Sequence, residues 1–160
     1  MDLIPAFVPF EIVEAFAATP HGMVLLPLAF FLLTATLTGF AVPGSLVPMS
    51  FASGLLFGPT GVFLVAAGAA LGAQALFLTS RHFFSDWARN KLGDRLAEVE
   101  AHLGRRGPIY VVLARASGIP GLVVTAGSAL TPISARSFAA ASLLGMLPAI
   151  CLAAFAGAAI

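Results

Sequence analysis

From Ala15 to Ser80 the sequence contains no Asp, Glu, Lys or Arg. Over the whole chain 9% of the residues are charged and 59% are apolar, whereas about 25% of an ordinary soluble domain is charged. One folded core cannot hide that much apolar surface from water, but a lipid bilayer accepts it. The sequence therefore predicts an integral membrane protein of the all-α class.

Three uncharged runs have the length of a transmembrane helix. They cover residues 22–42, 60–79 and 138–158. About 20 helical residues at 1.5 Å each cross a hydrocarbon core of roughly 30 Å. Each run therefore predicts one full transmembrane helix.

Two other apolar segments, residues 43–58 and 108–132, are less suited to crossing a membrane. The first is rich in proline and glycine, and as a helix it would reach only about 24 Å. The second is interrupted between Gly118 and Gly121. Backbone that is not helical is tolerated at membrane depth only where protein or water covers it. Both segments therefore predict re-entrant hairpins that line a cavity.

A short internal match relates the two predicted hairpins. An offset of 75 residues places Gly54-Leu55 on Ala129-Leu130 and Phe63 on Phe138. Oppositely oriented repeats are an architecture of transporters, so the match predicts an inverted repeat in which the hairpins face each other. A chance match is the alternative.

Residues 81–106 concentrate the charge of the chain, with six of its eight basic and four of its seven acidic residues. By the positive-inside rule this segment is cytoplasmic. Its apolar spacing predicts an amphipathic helix over 82–104, with Ser85 as N-cap. The helix lies either on lipid headgroups or on the protein's own cytoplasmic face, and the sequence does not separate the two. Residues 1–20 are predicted to form an N-terminal segment at the membrane surface.

Arg115 is the strongest candidate for a binding residue. It stands inside an apolar run, and a charged side chain at membrane depth costs at least about 2.5 kcal/mol. No Asp or Glu occurs from residue 101 to residue 160, so its counter-charge is predicted to be a ligand. A guanidinium presents a planar fork of donors that suits a phosphate. The alternative is snorkelling, in which the side chain reaches back to the cytoplasmic interface.

The remaining sequence features give weaker evidence for a binding or catalytic site. Arg136 precedes the third run, in the usual place of a charge that sets topology. Gly54 and Gly58 have the small-residue spacing that lets helix backbones approach closely. The three histidines are dispersed, and no catalytic arrangement can be assembled. We therefore expect no enzyme, no metal and no cofactor, and the formal charge of +1 argues against nucleic acid as a partner.

Five motifs lie between residues 40 and 157: a proline-led segment that starts at Pro43 and ends in Gly54 to Gly58, a Gly-Ala-rich helix from Gly68 to Arg81, Arg115 with Pro120, Arg136 with Phe138, and Gly145 with Pro148. Together they resemble the DedA family, also known as VTT-domain or SNARE-associated Golgi proteins. Gly118, Thr125 and Ala129 depart from the residues usual in that family. Ser45 stands where bacterial members often carry an acidic residue linked to proton coupling, so the resemblance does not extend to proton coupling.

The resemblance implies two facing re-entrant hairpins and the movement of lipids between leaflets by a flippase or scramblase. We predict a lipid transporter of the bacterial inner (plasma) membrane, with three full transmembrane helices and a cargo of polyprenyl phosphate or phospholipid. Its partners are membrane lipids held through the phosphate, and a homo-oligomer is left open. The predicted ligand-binding residues are Arg115, Gly118, Pro120, Gly121, Thr125, Arg136, Pro43, Gly44, Ser45 and Gly54. The alternatives are a non-transporting scaffold that affects envelope homeostasis and a small-anion carrier.

Overall fold

A computed structural model of the chain describes residues 18–19, 21–92 and 107–160. Every regular element in these ranges is helical: α1 Gly22–Gly39, α2 Leu46–Phe57, a 3-10 turn Gly58–Thr60, α3 Gly61–Leu92, α4 Gly107–Ala116, α5 Gly121–Ala129 and α6 Ala135–Ala158.

Three helical stretches are long and apolar enough to cross a membrane. They are Gly22–Gly39, Leu46–Phe83 and Ala135–Ala158, the second of which includes α2, the 3-10 turn and most of α3. The prediction of an all-helical membrane protein with three long apolar helices is confirmed at this level.

A turn over residues 40–45 ends α1. Its backbone enters the left-handed region at Ala41, with φ of 54°, and again at Gly44, with φ of 75°. Pro43 lies between them and has no N–H with which to continue a helix. The chain therefore reverses here and begins α2 at Leu46.

The position of this turn is fixed by the packing of α1 on α3. Phe31 lies against Gly68, and further along the chain Thr38 lies against Gly72. The two helices thus run in the same direction. The turn lies near the level of Gly72, about 14 Å along the axis of α3 from Arg81.

α2 is one unbroken helix, which differs from the predicted hairpin over residues 43–58. Pro48 is the third residue of α2, where the backbone N–H has no intrahelical acceptor in any case. Gly54 is helical and packs on α6, because a Cβ at this position would overlap the carbonyl of Ala154. The proline and the glycine therefore mark a helix start and a close helix contact.

α1 and α2 are the two arms of a first helical hairpin. Phe57 at the end of α2 meets Phe30 of α1 edge-on, with ring centroids 5.5 Å apart. The closed end of this hairpin is the turn 40–45, and its arms open towards the 3-10 turn at the start of α3.

α4 and α5 are the arms of a second hairpin, with 10 and 9 residues. The break lies at residues 117–120, inside the predicted segment 108–132. Gly118 has φ of 75°, and Pro120 precedes α5 in an extended conformation. Each arm is about 14 Å long, which is half the thickness of a hydrocarbon core.

The second hairpin opens at the opposite end of the molecule, beside Arg81. The guanidinium of Arg81 donates hydrogen bonds to the backbone carbonyls of Thr131 and Ile133, at 2.9 and 2.8 Å. It also lies 5.2 Å from the ring centroid of Phe77. Phe77 in turn stacks on Phe138 of α6 at 4.2 Å, so the second half of α3, the segment that follows α5 and the start of α6 are joined here.

Two predicted segments fall partly or wholly outside the described residues. The predicted N-terminal segment 1–20 is described only at residues 18 and 19. The predicted cytoplasmic helix 82–104 is described only as far as Leu92, and α3 continues through Ser85 without a new start. Residues 82–92 are therefore the end of α3.

Candidate functional site

The closed ends of the two hairpins meet at one cavity of about 480 Å³. The turn 40–45 lies on one side of it, and the break 117–120 with the adjoining turns of α4 and α5 lies on the other. Eight of the ten predicted ligand-binding residues line the cavity: Pro43, Gly44, Ser45, Arg115, Gly118, Pro120, Gly121 and Thr125.

Arg115 lies in the last turn of α4, and its side chain points across the hairpin to α5. Nη2 donates a hydrogen bond of 2.8 Å to Oγ1 of Thr125, a residue that is only 1% exposed. Nε is buried and has no acceptor among the described residues. The guanidinium is thus half-buried in the cavity, with donors that the described chain does not use.

The space beside the guanidinium depends on two glycines. A Cβ at Gly121 would lie 3.0 Å from Nη1 of Arg115, and a Cβ at Gly145 of α6 would lie 2.6 Å from Cβ of Arg115. A Cβ at Gly145 would also overlap the backbone of Val112, so this glycine allows the close approach of α6 to α4. A Cβ at Gly121 would push the end of the guanidinium aside by a few tenths of an ångström.

Among the side chains that the structure describes, Arg115 has no acidic neighbour. None of the side chains that the structure describes is an Asp or Glu, because the sequence has none from 15 to 85 or from 101 to 160. A half-buried cation without a counter-charge favours an anion at the cavity.

Both turns at the cavity contain a glycine in a conformation that other residues rarely adopt. Gly44 and Gly118 each have φ of 75°, and a Cβ on either would meet no atom within 4 Å. These glycines are therefore required by the backbone conformation and not by a lack of space.

Two of the predicted site residues lie away from the cavity. Arg136 is exposed in the first turn of α6, and Gly54 is buried against α6. Neither is among the residues that line the cavity.

Sequence reasoning did not identify several residues that line the cavity. Thr38, Leu76, Met146 and Ala149 reach it from α1, α3 and α6. Each belongs to a long apolar helix, and no residue-level pattern distinguishes it from the lipid-facing positions of the same helix. Helix packing alone brings these residues to the site.

Comparison with known proteins identifies relatives of this chain. A family model described as the VTT domain matches residues 42–159, a region that includes Arg115 and nearly all the cavity. The uncharacterized protein YqeD of Bacillus subtilis strain 168 is 33% identical over 110 residues, which cover 66% of this chain and 53% of YqeD. The chain thus spans about half the length of this curated relative. No solved structure matches it.

Proposed function

This chain belongs to the VTT-domain family, and from that premise we propose that it moves phosphate-bearing lipids between the leaflets of a membrane, as a flippase or scramblase. Polyprenyl phosphate and phospholipid are the two cargo classes. The observation that carries the proposal is the guanidinium of Arg115, half-buried beside Thr125 in the cavity between two hairpin ends.

The chemistry of the cavity supports a phosphate as the bound group. Arg115 binds the phosphate oxygens through its planar donors, and Thr125 holds the guanidinium in place. Gly121 leaves room for the group beside Nη1. The apolar residues around them suit the hydrocarbon part of a lipid, which a soluble phosphate lacks.

The arrangement of the hairpins supports an inverted repeat in the membrane. A hairpin and a long helix occur twice, and α2 of the first unit packs on α6 while α5 of the second packs on α3. The offset of 75 residues seen in the sequence also relates Leu46 to Gly121, the first residues of α2 and α5. We place both hairpins as re-entrant elements with their closed ends near the bilayer middle, where transporters of inverted architecture bind substrate. In this arrangement α1 enters and leaves on one side together with α2, so it does not form the full crossing predicted for residues 22–42, although its length would allow one.

The bacterial inner membrane is the proposed location, with residues 81–106 on the cytoplasmic side. The relative in Bacillus subtilis supports a bacterial membrane, and the positive-inside rule supports the orientation. Under this orientation the second hairpin opens to the cytoplasm and the first to the outside.

A transport assay tests the proposal. Purified protein in liposomes containing a fluorescent-tailed phospholipid is treated with dithionite, which bleaches only the outer leaflet. The loss of protected fluorescence reports the exchange of lipid between leaflets.

We expect wild type to exchange lipid and Arg115→Ala to match empty liposomes. Exchange by Arg115→Lys should be strongly slowed, because an ammonium loses the bidentate fork. Arg136→Ala, the same change outside the cavity, is the matched control. Equal rates for wild type and Arg115→Ala would overturn the proposal.

A small-anion carrier is the second candidate. The cavity volume of about 480 Å³ lies within the ~300–1,000 Å³ typical of small-molecule sites, so it also fits a free anion. Uptake of radiolabelled inorganic phosphate by the same liposomes, without lipid exchange, would favour the carrier over the lipid transporter.

A further inference from the structure

A second, mostly apolar cavity of about 240 Å³ lies between the arms of the second hairpin. We name it the α4–α5 groove, and its lining includes Tyr110, Ile119, Val123, Gly127, Ser128 and Thr131. It is smaller than the ~300–1,000 Å³ pockets that enclose whole ligands. The groove therefore has room for only part of a ligand of that size.

The groove adjoins the cavity that contains Arg115. Ile119 and Val123 line both. A molecule whose phosphate lies at Arg115 therefore reaches the groove by passing these two side chains.

Two of the three hydroxyl groups that line the groove, those of Ser128 and Thr131, donate to carbonyls of their own segment. Oγ of Ser128 donates to the carbonyl of Val124 at 2.6 Å, and Oγ1 of Thr131 donates to the carbonyl of Ser128 at 2.7 Å. The hydroxyl hydrogens of Ser128 and Thr131 are thus not offered to a ligand. Apart from the hydroxyl of Tyr110, the surface that remains is mostly apolar. A hydrocarbon chain suits such a surface, whereas a sugar or a second polar group would lose its hydrogen bonds to water.

We propose that the α4–α5 groove holds the hydrocarbon chain of the lipid whose phosphate lies at Arg115. This inference rests on the proposed function and adds a binding site for the lipid tail. Because a chain gains little on leaving lipid for an apolar groove, the groove acts by directing the chain and not by adding affinity. The headgroup and the tail are then held on the two sides of Val123.

Gly127 offers a way to fill the groove without disturbing the fold. A Cβ at this position would meet no atom within 4 Å, and Gly127 lies in α5, where a larger residue is favoured over glycine. Gly127→Leu therefore occupies the groove. Ala67→Leu, on an exposed position of α3 that lines neither cavity, adds a similar side chain to a lipid-facing surface and is the matched control.

Photo-cross-linking tests the inference with the full chain in maltoside micelles. The probe is a phosphatidic acid with a diazirine in one acyl chain. A diacylglycerol that carries the same chain is the control probe without a phosphate. We expect the phosphatidic acid to label the groove at Tyr110 and Val123, and the diacylglycerol to show no such preference. The groove label should be lost in Gly127→Leu and kept in Ala67→Leu.

Labelling at the groove that is no stronger than at the exposed residues Phe63 and Leu152, or unchanged labelling in Gly127→Leu, would overturn the inference. Transport that still depends on Arg115 would then leave the proposed function standing. Groove labelling that is unchanged in Arg115→Ala and equal for both probes would instead overturn the role of Arg115. Capture of a second copy of the chain by a photoreactive residue at position 123 would make the groove an interface and also overturn the inference.

Discussion

At the scale of single residues, the site is built around an arginine that the sequence already isolates. Because no Asp or Glu occurs from 101 to 160, the sequence predicted that the counter-charge of Arg115 is a ligand. Thr125 was predicted as a ligand residue, and the structure places its hydroxyl against Nη2 of Arg115. This hydrogen bond joins α4 to α5 across the interruption at residues 117–120, and no spacing of residues within either helix predicts it.

Thr125→Val tests this contact, because valine keeps the volume and removes the hydroxyl. It leaves Nη2 of Arg115 unsatisfied in a half-buried place, which costs about 1–3 kcal/mol. We expect a lower thermal midpoint in detergent and a transport rate between those of wild type and Arg115→Ala, with Thr125→Ser restoring both. A valine variant as stable and as active as wild type would remove the positioning role of Thr125.

Arg81 is a second arginine whose role only the structure reveals. The sequence places it in the basic segment 81–106, which is predicted to be cytoplasmic, but its side chain donates hydrogen bonds to two carbonyls at the open end of the second hairpin. Hydrogen bonds to a charged group contribute roughly 1.5–3 kcal/mol each. We expect Arg81→Ala to increase amide hydrogen exchange over residues 130–134, whereas Arg136→Ala leaves that segment protected. Unchanged protection in Arg81→Ala would contradict this role.

At the scale of helices, composition predicted where the chain is apolar better than where it turns. The interruption at residues 117–120 was readable because Gly118, Pro120 and Gly121 follow one another closely. The first turn lies at residues 40–45, earlier than a hairpin over residues 43–58 would put it. Pro48 is tolerated at a helix start and Gly54 makes a close helix contact, so neither residue marks a turn. Ala41 adopts a positive φ without being a glycine and so gives no signal in the sequence.

Two glycines in helices give a matched test of helix packing. Gly54→Ala forces a methyl group against the carbonyl of Ala154, and such overpacking typically costs about 1–3 kcal/mol. Gly127→Ala meets open space and replaces a poor helix former by the best one, a gain of up to about 1 kcal/mol. We expect thermal unfolding in detergent to show opposite shifts. A Gly54→Ala variant as stable as wild type would contradict the packing of α2 on α6.

At the scale of the whole molecule, two hairpins open at opposite ends and meet at their closed ends. Family resemblance predicted facing hairpins, but the pairing of α2 with α6 and of α5 with α3 is a long-range outcome of packing. No sequence pattern of period 3.6 reports it, because helices buried in lipid are apolar on every side.

Cysteine labelling tests the orientation of the molecule in cells. On a Cys151→Ser background, Thr60→Cys at the start of α3 and His82→Cys beyond Arg81 both carry exposed side chains. We expect a membrane-impermeant maleimide to label position 60 from outside and position 82 only after permeabilisation. Labelling of both positions from one side would contradict the proposed topology.

The proposed function depends most on Arg115 holding the phosphate of a lipid. Native mass spectrometry of protein released from maltoside micelles measures this directly, because lipid retained through purification appears as added mass. Wild type and Arg136→Ala are expected to carry a phosphate-bearing lipid that Arg115→Ala has lost. Equal amounts of that lipid on wild type and Arg115→Ala would show that Arg115 does not hold it.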